Sequence, residues 1–174
     1  SKYSFSQRDH LMNKMWISFC TCMMGELDKG IQELQQTVVE IDASRYLQVY
    51  IEARARLGLA LYLKGDIQAA LQMLKEVTVE SSEIGFTGAG MAYAFVLAQE
   101  ALKAKAYDYA REMGEKILNK ANQEESPWLE WLGLDILIAA APKVGKTHNK
   151  HLIQKQLVLR TLNQSKPQNM GLII

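Results

Sequence analysis

The amino-acid sequence predicts an all-α protein built from helical hairpins that repeat every 40 residues. Three prolines in 174 residues and few alternating β-branched runs favour helix over strand. A shift of 40 residues also aligns small residues twice per repeat, where two packed helix backbones need close approach. The two aligned sets are Ser18, Gly58 and Ala98, and then Gly30, Ala70 and Ala110. A fixed period of this length is typical of an array of stacked units.

Composition narrows the class of protein. Apolar residues make up 48% of the chain and charged residues 22%, which is typical of a folded soluble protein. No stretch approaches the ~20 apolar residues of a membrane span, and no secretory leader is present. Cys20 and Cys22 lack a second ligand pair and suggest neither a zinc site nor a disulfide framework. We therefore expect a cytoplasmic protein, and the apolar end at 170–174 suggests a piece of a longer one.

Four units are predicted, and turn and cap residues mark the first two. The units span residues 9–42, 44–82, 86–122 and 126–163, with tails at 1–8 and 164–174. In the first unit, the turn falls at 25–28. In the second, a helix from about residue 44 ends at Gly65, and Asp66 caps the next helix, which runs to about Ser82.

The third and fourth units depart from this pattern. Residues 105–107 occupy the turn of the third unit without a glycine, so that turn is less well specified. Residues 91–98 are apolar all round, which predicts a helix buried on most sides. Ser126 and Pro127 begin the fourth unit as a cap and a first helical residue. Its second helix, at about 148–163, has atypical residues, as terminal units of arrays commonly do.

The second unit carries a set of residues that resembles the tetratricopeptide repeat. These residues are Leu57-Gly58, Tyr62, Gly65-Asp66, Ala69-Ala70 and Leu74, and the third unit adds Leu97-Ala98, Tyr107 and Ala110. The period of 40 differs from the commonest one of about 34, and no proline ends the second helices. The resemblance implies a right-handed α-α superhelix, or solenoid, of about four hairpins. Longer repeats of this kind are similar to those in large bacterial signalling proteins that also contain ATPase or cyclase modules.

The resemblance also implies an inner groove, lined by particular positions of each first helix, that binds a protein or peptide. Those positions are Met12, Met15, Phe19, Leu59, Tyr62, Phe95, Gln99 and Leu102. This surface is apolar and rich in methionine, which suits an amphipathic helix as partner. The open alternatives are that a terminal helix, missing repeats or a second copy of the chain covers it. If a second copy covers it, the chain is an oligomerisation module. A third hypothesis is a regulator that senses a peptide or small ligand.

Charge is distributed unevenly. From Ile136 onward there are six basic residues and no acidic one, and the first 135 residues hold 14 basic and 19 acidic residues, a net charge of −5. A basic segment can bind nucleic acid by neutralising phosphates. This segment lacks aromatic residues for base stacking, so nucleic-acid binding is not expected. A solvated face, or a docking strip for the acidic body of another copy, is favoured.

No residue set predicts an enzyme, a cofactor or a metal site. Residues 143–147 resemble part of a phosphate loop, but Ala140 replaces its first glycine and the segment follows a helix where the loop must follow a strand. His148 and His151 have no third ligand nearby. The leading hypothesis is a non-enzymatic scaffold that recognises its partner by shape.

Overall fold

A computed structural model describes residues 6–141, and in this range the chain is all α, as predicted. The helices are α1 (Gln7–Met23), α2 (Leu27–Glu40), α3 (Leu47–Lys64), α4 (Ile67–Glu83), α5 (Met91–Lys103), α6 (Tyr107–Glu124) and α7 (Pro127–Ala140), with a 3₁₀ turn at Gly88–Gly90. They pack as sequential antiparallel pairs. None of the seven has the length and apolarity needed to span a bilayer. The predicted helix at 148–163 lies outside the described residues.

The first compact unit extends to Ala92 and contains α1 to α4. Helix α1 packs on α2, α3 packs on α4, and α3 also contacts α1 and α2. Its largest fully buried side chains come from all four helices, namely Met15, Leu34, Ile51, Leu74, Val49 and Val77. Gly30 lets α2 approach α1, because a Cβ there would lie 2.8 Å from both the Ser18 oxygen and the Cys22 nitrogen. The predicted role of small residues in close helix approach is confirmed at this pair.

The second compact unit starts at Tyr93 and contains the rest of α5, α6 and α7. Helices α6 and α7 approach closely through two glycines: a Cβ on Gly133 would lie 3.0 Å from the Leu118 nitrogen, and one on Gly114 would lie 3.0 Å from Ile136. The predicted small residues Ala98 and Ala110 are both fully buried in one core cluster with Ala101, Ile136 and Ala140. This cluster joins α5, α6 and α7.

The turns inside the first three hairpins share one backbone conformation. Gly25, Gly65 and Lys105 stand 40 residues apart and have φ angles of +94°, +95° and +60°. This left-handed region is accessible to glycine, whereas an L side chain is strained there by roughly 1–2 kcal/mol. The third turn therefore keeps the conformation of the first two although its glycine is lost.

Lys105→Gly is expected to stabilise the protein by about 1 kcal/mol, because it removes this strain at an exposed turn. Thermal unfolding followed by circular dichroism measures the effect. Lys116→Gly is the matched control: Lys116 is also exposed but lies inside α6, where glycine costs about 1 kcal/mol. Equal destabilisation by both changes would contradict the assignment of strain to Lys105.

Capping side chains set several helix ends. The predicted caps are confirmed: Asp66 accepts a hydrogen bond from the Ala69 nitrogen at 3.3 Å, and Ser126 accepts one from the Leu129 nitrogen at 3.4 Å. Helix α1 begins at Gln7, earlier than predicted, because Ser6 and Asp9 form a reciprocal capping box. Helix α3 begins at Leu47, three residues later than predicted. In the intervening turn, the Asp42 carboxylate accepts from the backbone and hydroxyl of Ser44.

An ion pair recurs at the same repeat positions in the first two hairpins. Lys14 binds Glu40 at 2.5 Å, and 40 residues later Arg54 binds Glu80 at 2.6 Å. Arg54 also reaches Glu76 at 2.7 Å. Each pair connects the first helix of its hairpin to the second. In the first two hairpins, the repeat therefore includes a polar contact as well as apolar ones.

The first of these pairs makes stability depend on pH. The hydrogen bond from Lys14 lowers the pKa of Glu40 below its ordinary value. A lowered folded-state pKa contributes stability above the ordinary pKa of the carboxyl, and this contribution is lost as pH falls through the lowered value. We expect Lys14→Met to raise the pKa of Glu40 in an NMR titration and to flatten the acid side of the stability profile. An unchanged Glu40 titration would contradict the pairing.

Candidate functional site

The predicted groove residues of the first compact unit differ in exposure. Met15, Phe19 and Leu59 have only 0%, 3% and 7% of their surface exposed. Met12 and Tyr62 are half-buried. The three buried side chains serve the core of the folded chain and offer a partner almost no surface. Whether a partner binds along this face stays a prediction, and its accessible apolar part is smaller than the repeat positions suggest.

In the second compact unit, the predicted groove residues Phe95, Gln99 and Leu102 are all half-buried on α5. Phe95 and Leu102 pack against the core cluster that contains Ala98 and Ala110. Part of each side chain therefore supports the fold, and part remains accessible. As predicted from its all-round apolar sequence, α5 has no exposed residue from Met91 to Leu102.

A cluster of aromatic and charged side chains lies where α1 meets α3. The Arg56 guanidinium carbon lies 3.9 Å from the centre of the Trp16 ring, a stacked cation–π contact. Trp16 in turn meets Phe19 edge to face, with ring centres 6.5 Å apart. Glu52 lies one turn before Arg56 on α3, and its carboxylate is 3.8 Å from Nη2. We call Trp16, Glu52 and Arg56 the Arg56 cluster.

Arg56 is poorly supplied with hydrogen bonds for a buried cation. Its Nη1 donates to the Glu52 carbonyl at 3.5 Å, which is long for a hydrogen bond, and its buried Nε has no partner. Burial lowers the pKa of Arg56, only partly opposed by the charge of Glu52. Two residues earlier, Arg54 makes three hydrogen bonds of 2.6–2.7 Å to Glu76 and Glu80. The two arginines have equally exposed side chains, at 12% each, yet only Arg54 is well paired.

The Arg56 cluster was not predicted from the sequence, although the repeat contained a signal for it. Trp16 and Arg56 stand 40 residues apart and therefore occupy the same position in successive units. Because α1 packs against α3, equivalent positions on these first helices become neighbours. A search for aromatic and cationic residues at equivalent positions would have found the pair.

Another exposed surface lies on the outer face of α1. Ile17 is 65% exposed, whereas Leu57, its equivalent on α3, is only 4% exposed. On the same helix, Cys20 is half-buried, whereas its equivalent Ala60 is fully buried; Met24, the residue after the helix, is exposed. Helix α3, which carries these buried equivalents, packs on α1, α2 and α4. The described part of α1 thus presents a face that the repeat elsewhere buries.

The second compact unit contains an open groove of about 750 Å³ at the end of α7. Lys105, Tyr107, Tyr109 and Arg111 line one side, and residues 139–141 line the other. The tyrosines are 45% and 44% exposed. This mixed surface was not predicted from the sequence.

Residues 6–141 contain no group of three or more His, Cys, Asp and Glu that could hold a metal ion. Cys20 and Cys22 are free thiols, and burial raises the pKa of Cys22, which disfavours the reactive thiolate. The phosphate-loop-like segment at 143–147, His148, His151 and most of the basic C-terminal segment lie outside the described residues.

Comparison with known proteins does not assign this chain to a family. No protein-family model, curated protein or solved structure matches it at a significant level.

Proposed function

We propose that this chain is a tetratricopeptide-like scaffold that binds a protein or peptide on the face formed by α1 and α3. The supporting observation is that Met12, Trp16 and Tyr62 are apolar or aromatic, half-buried, and carried by the first helices of adjacent hairpins. Such a strip retains surface that a partner can still bury. The packed core beneath it, with Met15 and Phe19, holds the strip rigid.

The mechanism is recognition by shape. The close contacts at Gly30 and the ion pairs between first and second helices fix the packing of the two helices within each hairpin. A partner helix or extended peptide inserts apolar side chains between α1 and α3, and the rigid surface loses little entropy on binding. This role fits a regulatory part of a larger bacterial cytoplasmic signalling protein, with no catalytic step of its own.

Selection of helical peptides by display on the purified chain tests this function. Peptides selected by the wild type are expected to lose binding to Met12→Glu, because a carboxylate interrupts the apolar strip. Val39→Glu is the control: Val39 is 86% exposed on α2, outside the strip. Peptides that bind all three proteins equally would refute the proposed surface.

Homo-oligomerisation is a second candidate, favoured by the exposed face of α1. Ile17 is 65% exposed, whereas Leu57 at the equivalent position on α3 is buried. The exposed face of α1 therefore corresponds to a face that packs against a helix elsewhere in the chain. Light scattering over a range of concentrations should then show a dimer that Ile17→Lys converts to a monomer. A monomeric wild type would remove this candidate and leave the α1–α3 strip as the first surface to test.

A further inference from the structure

The Arg56 cluster contains a largely buried cation with few hydrogen-bond partners. Hydrogen bonds normally satisfy buried polar groups, and a buried charge with few partners is costly. Arg56 is held in this condition although the same helix shows, at Arg54, how short carboxylate bonds satisfy a guanidinium. At Arg56, the Glu52 carboxylate forms only a longer ion pair, 3.8 Å from Nη2, and the buried Nε has no hydrogen-bond partner. The guanidinium therefore retains unused donor capacity.

The position of the cluster makes that capacity available to a partner. Twelve per cent of the Arg56 side chain and 16% of the Glu52 side chain remain exposed. The Trp16 ring contacts the guanidinium, whose central carbon lies 3.9 Å from the ring centre. A planar guanidinium favours a planar carboxylate acceptor. The nearby charge of Glu52 disfavours a dianion such as phosphate more strongly than a single carboxylate.

We propose that Arg56 binds an Asp or Glu side chain of the peptide segment that docks on α1 and α3. This inference rests on the proposed function and specifies the chemistry of the partner: an apolar segment with an acidic residue facing the Arg56 cluster. The acidic group accepts from the Nη atoms, and Trp16 positions them. The apolar residues beside it cover Met12 and exclude water from the ion pair, which strengthens it.

Two synthetic amphipathic peptides of matched length, one of Leu and Glu and one of Leu and Gln, provide the test. We expect the Glu peptide to bind the wild type about tenfold more tightly, as a hydrogen bond to a charged group typically contributes enough for this. In ¹⁵N-arginine-labelled protein, the Arg56 Nε–H resonance should shift with the Glu peptide and much less with the Gln peptide. Loss of one resonance in Arg56→Met assigns it.

Arg56→Met should abolish the preference for the Glu peptide, because it keeps the apolar stem and removes the donors. Arg54→Met is the matched control, since it removes the same charge two residues away and should keep the preference. Circular dichroism and thermal unfolding check that each variant folds. Arg56→Lys provides a second test if Arg56→Met does not fold, and it should retain only part of the preference because it lacks the planar fork.

Each outcome separates this inference from the proposed function. If Met12→Glu abolishes binding of both peptides while Arg56→Met leaves their affinity ratio unchanged, the surface stands and the carboxylate site is refuted. A lowered melting temperature of Arg56→Met with an unchanged ratio identifies a purely structural arginine and also refutes the site. Absence of binding by either peptide overturns the inference as well. Loss of the ratio in Arg56→Met alone supports it.

Discussion

Phe19→Glu is expected to unfold the first compact unit. Phe19 is 3% exposed and packs against Trp16, so the substitution removes a buried ring and places a charge in its site. Loss of a buried Phe side chain typically costs about 3–5 kcal/mol, and an unpaired buried charge adds to this cost. A total of this size approaches the whole stability of a typical domain. Urea unfolding followed by circular dichroism should show loss of a large part of the helical signal before denaturant is added.

Val39→Glu is the matched control, because Val39 is also apolar but is 86% exposed on α2. It should change the free energy of unfolding by no more than about 0.5 kcal/mol, as surface substitutions usually do. Normal helicity of Phe19→Glu would contradict the burial of this ring. It would also support the prediction from the repeat positions that Phe19 lines an accessible groove.

Gly30→Leu is expected to separate α1 from α2. Even the Cβ atom of a new side chain would lie 2.8 Å from two backbone atoms of α1 and would collide with the Cys22 sulfur. Backbone atoms cannot rotate away, so the helices must move apart. Overpacking of this kind costs about 1–3 kcal/mol or more, which exceeds the roughly 1 kcal/mol that loss of a helical glycine returns. The melting temperature should fall accordingly.

Gln32→Leu provides the comparison for Gly30→Leu. Gln32 lies two residues further along α2 and is exposed, so a leucine there meets no backbone. We expect its melting temperature to stay close to that of the wild type. An equal melting temperature for Gly30→Leu would contradict the close approach of α1 and α2.

The sequence predicts local features of this fold well because they depend on local chemistry. The turn at Gly65 and the caps at Asp66 and Ser126 follow from residues that satisfy helix ends within three or four positions. The repeat even locates the turn at Lys105, where the glycine signal is missing. The early start of α1 was missed because the capping box of Ser6 and Asp9 stands outside the repeated pattern.

Burial was harder to predict, because it depends on what packs against each helix. Ile17 and Leu57 occupy equivalent positions and are both large and apolar, yet one is exposed and the other buried. The groove positions have the same difficulty: Met12 and Met15 look alike in sequence, but only Met15 is fully buried. The Arg56 cluster depends on contact between two helices, which apolar spacing within either helix does not reveal.

The stack of Trp16 on Arg56 has a consequence for how such a chain can diverge after duplication. A freshly duplicated unit sets each residue beside its own copy on the neighbouring first helix. Two arginines at this position would repel each other, whereas an aromatic ring and a cation attract. The cationic positions of Lys14 and Arg54 avoid that conflict because each has its own glutamate. Substitutions at Trp16 and Arg56 are therefore expected to be coupled, because a change in one alters which residues its neighbour can accept.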